Sequence, residues 1–514
     1  MNLKNSSTTM KQTFTLLLAT CIFHFGTSPE ASAATSETRY WPQFRGPNGS
    51  GVSADGKAAP VELDADSRLW QLEIPSGHSS PCIWSDHIYL TAYREEQEQL
   101  TMLCVDRNGG KILWERPAPP MQKEKRIHKF NNPAAATPAA DQDRVVVYYS
   151  AFGVVSYDHD GNELWRRALP SPQTKDGTSS SPILYKGLAI LQRDGSNGKS
   201  EMLALDAATG ETKWKTPRPL HQQSYSTPMI WSHDDTEELI VVGNKRLTSY
   251  NPSSGEALWW TSGISFQPIG MAVAGDGMLY ASSSGTGTGA PNDGALGEPE
   301  EFLRMFDRNS DGEITRDEVP KDARIRLRKE VSADTPGNTL AYTMLLFGFF
   351  DGNKDGKFTR EDWKGYQAFK RGNRDCVMAI RPGGSGDITE SHVAWKGSKG
   401  ISEMPSALHH DGRIYFIRDG GMLSVYHART GKLILDAERI GSMGQYAASP
   451  IASGGLIYAC SVSGKVTVLK AGDDLNIVSS SHLRERITAT PAIVEGKLYI
   501  RTDKHLMAFG ESNH

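Results

Sequence analysis

The chain has 514 residues, 50 of them Gly and 27 Pro, and aromatic side chains make up 9%. That is longer than a usual single domain, so several domains or one large repeat architecture is expected, and the turn-rich composition suits an all-β protein. A formal net charge of −4, with Lys and Arg spread along the chain, leaves no polyanion-binding footprint and argues against nucleic acid as a partner.

The first segment reads as an export signal over residues 1–33. Lys4 and Lys11 flank the start of the chain, Phe14 to Phe25 is apolar, and Ala31-Ser32-Ala33 is an A-x-A cleavage site. About a dozen apolar residues cannot cross a hydrocarbon core of ~30 Å, so an export signal is favoured over a membrane anchor. The mature chain is therefore expected in the periplasm or outside the cell. A lipid anchor at Cys21 is the lesser alternative, because Thr20 fits poorly before the cysteine and apolar residues continue after it. No later stretch is long and apolar enough to span a membrane. Cys82, Cys104, Cys376 and Cys460 lie far apart in strand-like contexts and are expected as buried free thiols.

From residue 66 onward one unit recurs: a short apolar strand, an Asp or its equivalent, a turn with Gly, and Trp four residues after that Gly. Clear copies are Asp106 with Gly110 and Trp114, Asp158 with Gly161 and Trp165, Asp206 with Gly210 and Trp214, and Asn251 with Gly255 and Trp259. Weaker copies end at Trp70, Trp395, Leu435 and Val478. A second marker keeps the same count, with a proline opening a strand at Pro81, Pro138, Pro182, Pro228, Pro268, Pro405, Pro450 and Pro491. Proline has no amide hydrogen and belongs at the first residue of a strand. Small or hydroxyl residues usually precede it, as in Ser79-Ser80 and Ala136-Thr137.

Each unit reads as four strands, which predicts an all-β, eight-bladed β-propeller of four-stranded blades. The final unit lacks its outer strand and Leu69 to Ile74 supplies it, so joining the two ends closes the eighth blade. The Asp-x-x-Thr-Gly-x-x-x-Trp pattern resembles the PQQ-like, quinoprotein-type propeller repeat. The opening Trp41-Pro42-Gln43-Phe44-Arg45-Gly46-Pro47-Asn48-Gly49 resembles the mature start of exported bacterial members of that group.

Between Trp259 and Trp395 the spacing is 136 positions, against about 40–50 between neighbouring copies. The excess is an insertion between the second and third strands of the fifth blade. It starts with a Ser/Gly/Thr linker at Ser282 to Gly289 and ends near Arg374. The expected organisation is a signal peptide at 1–33, propeller at 40–284, the insertion at 285–374 and propeller again at 375–510.

Within the insertion, Asp307, Asn309, Asp311, Gly312 and Glu318 match D-x-[DN]-x-[DN]-G-x5-E at every position. Ca²⁺ is a hard cation that takes six to eight oxygens, supplied here by the side chains of Asp307, Asn309, Asp311 and Glu318 and the carbonyl of Glu313. Thr315 would act directly or through water. A second copy places Asp351, Asn353, Asp355, Gly356, Lys357 (through its carbonyl), Thr359 and Asp362 at the same places. Asp362 has a shorter arm than Glu, which predicts a weaker or Mg²⁺-tolerant second site. Helices are expected at Glu300 to Phe306, Asp317 to Arg328, Thr339 to Phe350 and Arg360 to Phe369, with Pro320 delaying or bending the second. Ile314 and Phe358 would form the short β-contact of paired loops. Loops and helices together resemble the EF-hand family, so the insertion is expected to be a small α-helical EF-hand pair.

The propeller resemblance implies a PQQ-dependent dehydrogenase as the enzymatic alternative, with PQQ, Ca²⁺ and a catalytic Asp in the propeller. Several members clamp PQQ with adjacent cysteines. None are adjacent here, and the family's Glu, Asn and Asp ligands match no positions of this sequence, so PQQ is not expected and no catalytic residue is assigned. No G-x-S-x-G, P-loop or H-E-x-x-H occurs. The residues before the strand-opening prolines, among them His78, Gln223, Gln267, Glu403 and Tyr446, are expected to ring one mouth of the central channel. The leading expectation is a calcium-binding, non-enzymatic scaffold with protein partners at the envelope or outside the cell. A second alternative resembles the propeller lipoprotein that assists outer-membrane protein assembly, which requires a lipidated Cys21.

Overall fold

The computed structural model describes residues 39–120, 127–196, 198–285, 298–335 and 338–511. The export signal expected at 1–33, Cys21 and most of the linker after Ser282 lie outside them. Among the described residues eight sheets follow one another around a central axis, each a blade of four antiparallel strands, with one extra short strand antiparallel in blade one and another parallel in blade four. The third blade is representative: Ile183–Tyr185, Leu188–Arg193, Glu201–Asp206 and Thr212–Pro217 pair in sequence order. Burial explains the strand chemistry. Inner strands such as Val145–Tyr149 and Gly153–Tyr157 are buried along their whole length because a neighbouring blade covers each face. The outer strand Glu163–Ala168 buries only Trp165.

The eighth blade closes as the sequence predicts. Arg68–Glu73 pairs antiparallel with His505–Phe509, beside Lys497–Arg501 and Ala492–Val494. The first and last parts of the chain thus share one sheet, and the edge that His505–Phe509 would otherwise expose is paired.

The repeat Trp and Gly hold adjacent blades together. The indole N–H of Trp70 donates to Arg107 O at 3.0 Å, Trp114 to His159 O at 2.9 Å, Trp165 to Ala207 O at 2.8 Å and Trp214 to Pro252 O at 3.0 Å. Each indole lies on the turn glycine of the next blade. A Cβ on Gly110 would sit 2.5 Å from the Trp70 ring, so a side chain there would displace the indole, and its φ of +62° disfavours one further. Trp259 departs from the pattern, turning inward to donate to Glu238 Oε2 at 2.6 Å.

Hydroxyls beside the prolines form a second girdle. The N–H of Ser80 donates to Thr137 Oγ1 at 2.9 Å, Thr137 to Ser181 Oγ at 2.9 Å and Ser181 to Thr227 Oγ1 at 3.1 Å. On the other side Met271 donates to Ser406 Oγ at 3.2 Å, Ser406 to Ser449 at 2.9 Å, Ser449 to Thr490 at 3.0 Å and Thr490 to Ser80 at 3.1 Å. The belt is interrupted between blades four and five, where Met271 stands in place of a hydroxyl residue.

The opening motif threads the axial channel. Trp41 pairs with Ile83 of blade one, and Asn48 Oδ1 accepts from Ile230 N of blade four at 3.1 Å. Val52 bridges Ala452 of blade seven. Arg45 is fully buried and donates to the carbonyls of Gly49, Ser50, Ser406 and Ala407 at 2.8–3.4 Å. Burial pushes its guanidinium down to about 9.

Two helical expectations need correction. The helix expected at Asp317 to Arg328 is a single 3-10 turn, Arg316–Glu318, followed by a strand at Arg324–Arg326. Pro320 cannot supply the amide that helix propagation needs. The expected helix from Thr339 begins as a strand, Thr339–Ala341, which pairs with Arg324–Arg326 and so draws those residues out of the helix. The cysteines at 82, 104, 376 and 460 are free and buried.

Candidate functional site

The segment between Ser283 and Cys376 separates the second and third strands of blade five, which pair directly with each other. Its described part holds helix α1 (Pro299–Phe306), helix α2 (Tyr342–Met344, continuing as a wider turn over Leu345–Phe350) and helix α3 (Arg360–Arg371). Their apolar faces meet in a separate core of Phe302, Phe306, Ile314, Phe350, Phe358 and Trp363, among others. Phe302 packs edge-on against Phe358, and Phe350 against Trp363, with centroids 5.8 and 5.2 Å apart.

The two acidic loops follow α1 and α2 and share one hydrogen-bond pattern. In the first, Asp307 Oδ1 accepts from Asp311 N at 3.2 Å, and Asp307 Oδ2 from Gly312 N at 3.0 Å. In the second, Asp351 does the same with Asp355 N and Gly356 N at 3.2 and 3.0 Å. Asn309 and Asn353 each accept from the fifth-position amide at 3.0 Å, and Asp311 and Asp355 from the seventh at 2.9 Å. Gly312 and Gly356 take φ of +86° and +83°, conformations that a side chain strains. Ile314 and Thr315 pair antiparallel with Phe358 and Lys357, setting the loops back to back. The side chains of Glu313 and Lys357 form an ion pair between the loops, which leaves their backbones to follow the bend.

At the twelfth position the loops differ. Glu318 Oε2 accepts from the N–H and hydroxyl of Thr315, both at 2.8 Å, while Oε1 reaches back to Arg308 N at 3.0 Å. These bonds, the Thr315 amide foremost, hold the Glu318 carboxyl below the usual range. Asp362 Oδ2 accepts from Thr359 N and its hydroxyl at 2.9 and 2.7 Å. Among the described residues Asp362 makes no return bond to the start of its loop, as the shorter side chain would dictate.

The donor chemistry fits a hard divalent cation, since every candidate ligand presents oxygen and none presents nitrogen or sulfur. Among the described residues, however, no three His, Cys, Asp or Glu side chains converge as a ready-made metal cluster. The loop carboxylates are instead turned toward their own amides, through the bonds just described.

The insertion rests on the loops at the channel mouth. Arg328 Nη2 pairs with Asp419 Oδ2 at 2.6 Å and Nη1 lies 3.8 Å from Glu403 Oε2, while Arg418 pairs with Glu330 at 3.1 Å. Ser332 N donates to Met443 O at 2.9 Å and Lys245 Nζ to Gly372 O at 2.7 Å. Glu403 is one of the expected mouth residues. Tyr446, another, donates its N–H to Asp419 Oδ1 at 2.8 Å, and Gln267 donates to Gln223. Burial and the Arg501 and Arg486 cations push His78 down to about 4. Sequence reading did not assign Arg328 or Glu330, because nothing in the local pattern shows that this linker meets a loop some ninety residues later.

Residues 100–284 match a family model described as outer membrane protein assembly factor BamB. That match runs from the third strand of blade one into blade five. No curated protein matches the sequence. Among solved structures, a quinohemoprotein alcohol dehydrogenase from Comamonas testosteroni aligns over 95% of this chain and 83% of its own, with 9% identity and a TM-score of 0.53. The computationally designed protein Ika8 aligns over 86% of this chain and 99% of its own, with 11% identity and a TM-score of 0.50. What these two share with the chain is the propeller fold.

No helix among the described residues is long and apolar enough to cross a membrane.

Proposed function

We propose that this is an exported propeller that binds Ca²⁺ through an EF-hand pair inserted into its fifth blade, and that it serves as a binding scaffold. The observation that carries the reading is the repetition of one hydrogen-bond network in two loops set back to back. Two unrelated acidic turns have no reason to share it. Asp307, Asn309, Asp311, Glu318 and the carbonyl of Glu313 would hold the first ion, with Thr315 at the ninth place. Asp351, Asn353, Asp355, Asp362 and the carbonyl of Lys357 would hold the second, with Thr359 at the ninth. The missing return bond of Asp362 supports a weaker second site that also accepts Mg²⁺.

The scaffold part of the reading is supported by the match of residues 100–284 to the assembly-factor model, and by a channel threaded by the opening motif. Partners are then proteins of the envelope or the extracellular space. The PQQ-dependent alternative has a direct test: purified protein with PQQ and Ca²⁺ should fail to reduce an artificial dye with alcohols or sugars, and turnover would replace the scaffold reading.

Calorimetry with Ca²⁺ tests the metal sites. The wild type should show two sites, with affinities extending to the ~10⁻⁴–10⁻³ M range of extracellular modules. Glu318→Gln combined with Asp362→Asn should abolish nearly all the heat. Equal heats from the wild type and the double variant, or none from either, would remove the proposal.

A further inference from the structure

The strongest unexplained feature is a cleft of about 650 Å³ where the exit of α3 meets blades four and five. Lys245 and Arg246 enter it from a turn of blade four, Arg371 and Arg374 from the end of the insertion, and Lys396 from the outer strand of blade five. Five cations from three separate chain segments thus converge in a protein whose net charge is −4. The one carboxylate in the lining, Asp375, accepts at Oδ1 from Gly285 N at 2.7 Å and from the Ser284 hydroxyl at 3.0 Å.

Some surface cations of this protein pair with carboxylates: Arg94 with Glu115 at 2.8 Å, Lys213 with Asp206 at 2.9 Å and Arg360 with Glu300 at 3.1 Å. Among the described residues none of the five cleft cations forms such a pair. Arg246 lies over the Trp260 ring at 5.3 Å, and the Lys245 ammonium donates to neutral oxygens, the backbone carbonyl of Gly372 and the side-chain Oδ1 of Asn373. Burial holds Lys245 below the ordinary lysine range, the direction expected of a cation without a counter-ion. Like charges gathered in a recess repel one another and focus the field outward. Cys376, also in the lining, is pushed up to about 11 by burial and stays a protonated thiol, so thiolate chemistry is not the purpose of the cleft.

We infer that this cleft binds a small ligand carrying two or more tetrahedral oxyanion groups, phosphate or sulfate. The volume falls within the ~300–1,000 Å³ of small-molecule sites, and a guanidinium fork can donate two parallel N–H bonds to two oxygens of such a group. Lys245 closes on the carbonyl end of the insertion, so the site exists only where insertion and propeller meet. The inference is independent of the calcium reading.

The test is calorimetry on the full mature chain in calcium-free, low-salt buffer. Inorganic pyrophosphate and a sulfated disaccharide are titrated separately, which distinguishes a phosphorylated from a sulfated ligand. Saturable one-to-one binding of either at a Kd of about 1 mM or tighter is expected. Arg371→Gln with Lys396→Gln, both exposed, should weaken it roughly tenfold or more, and added NaCl should weaken it further. Lys57→Gln with Lys111→Gln removes the same charge elsewhere and should leave it unchanged. Saturation by neither probe, equal losses in the two double variants, or full affinity in the cleft variant would each overturn the inference.

Discussion

Glu403 shows how a single side chain reports the docking of the insertion. Burial, then Asp419, pushes its carboxyl up to about 7, Arg328 offsets part of this, and Asp375 adds to it. Its side chain keeps 23% accessibility, so water at the mouth screens the effect. An unfolded Glu releases its proton near 4.5, whereas the folded one keeps it to about 7. Across that window the native state binds more protons than the unfolded state. The contribution to stability is therefore complete below pH 4.5 and fades as pH rises toward 7. Urea unfolding at pH 5 and pH 8 should show a larger loss at pH 8 for the wild type than for Glu403→Gln. A difference between the two proteins that is the same at both pH values would refute the assignment.

At the scale of elements, neighbouring blades are joined by polar and aromatic contacts that repeat. The indoles and turn glycines lock the outer strands, while the hydroxyl belt locks the inner ones. Thr137 is 1% exposed and its oxygen is the acceptor for Ser80 N. Thr137→Val keeps the shape and removes the acceptor, leaving a buried amide unpaired at a cost of about 1–3 kcal/mol. Ser449→Ala should cost a similar amount through Ser406 N. Denaturant midpoints measure both. A loss below ~0.5 kcal/mol in each would mean that water or a shifted backbone replaces the belt.

For the whole molecule, the insertion has its own aromatic core and joins a hairpin whose strands pair without it. Ser283 faces Cys376 across the second and third strands of blade five. Replacing 285–374 with Asn-Gly supplies the turn that such a hairpin prefers. The shortened protein should keep one cooperative thermal transition and strand-type circular dichroism, and should show no calcium heat. Loss of the cooperative transition would mean that the insertion is integral to the propeller. Ion pairs at Arg328 and Arg418 are the contacts given up in this exchange.

Much of this architecture is readable along the chain because its signals are local and periodic. The Gly-x-x-x-Trp and Pro markers recur with the unit, so counting them predicts eight blades. Pro268 and Pro405 do not open strands as expected, those strands beginning only at Val273 and Leu408. The donor spacing of residues 307–318 and 351–362 predicts two oxygen-rich bends. The first exit helix failed for a local reason, Pro320, and for a distant one, the pairing of Arg324–Arg326 with Thr339–Ala341. Three features arise only in the folded chain: Arg45 and Asn48 threading the channel, Arg328 seated on Asp419, and five cations facing one cleft. Each joins groups that are far apart in the chain and carry no shared period. Local chemistry determines which bends and strands form, whereas closure of the propeller decides which distant charges become neighbours.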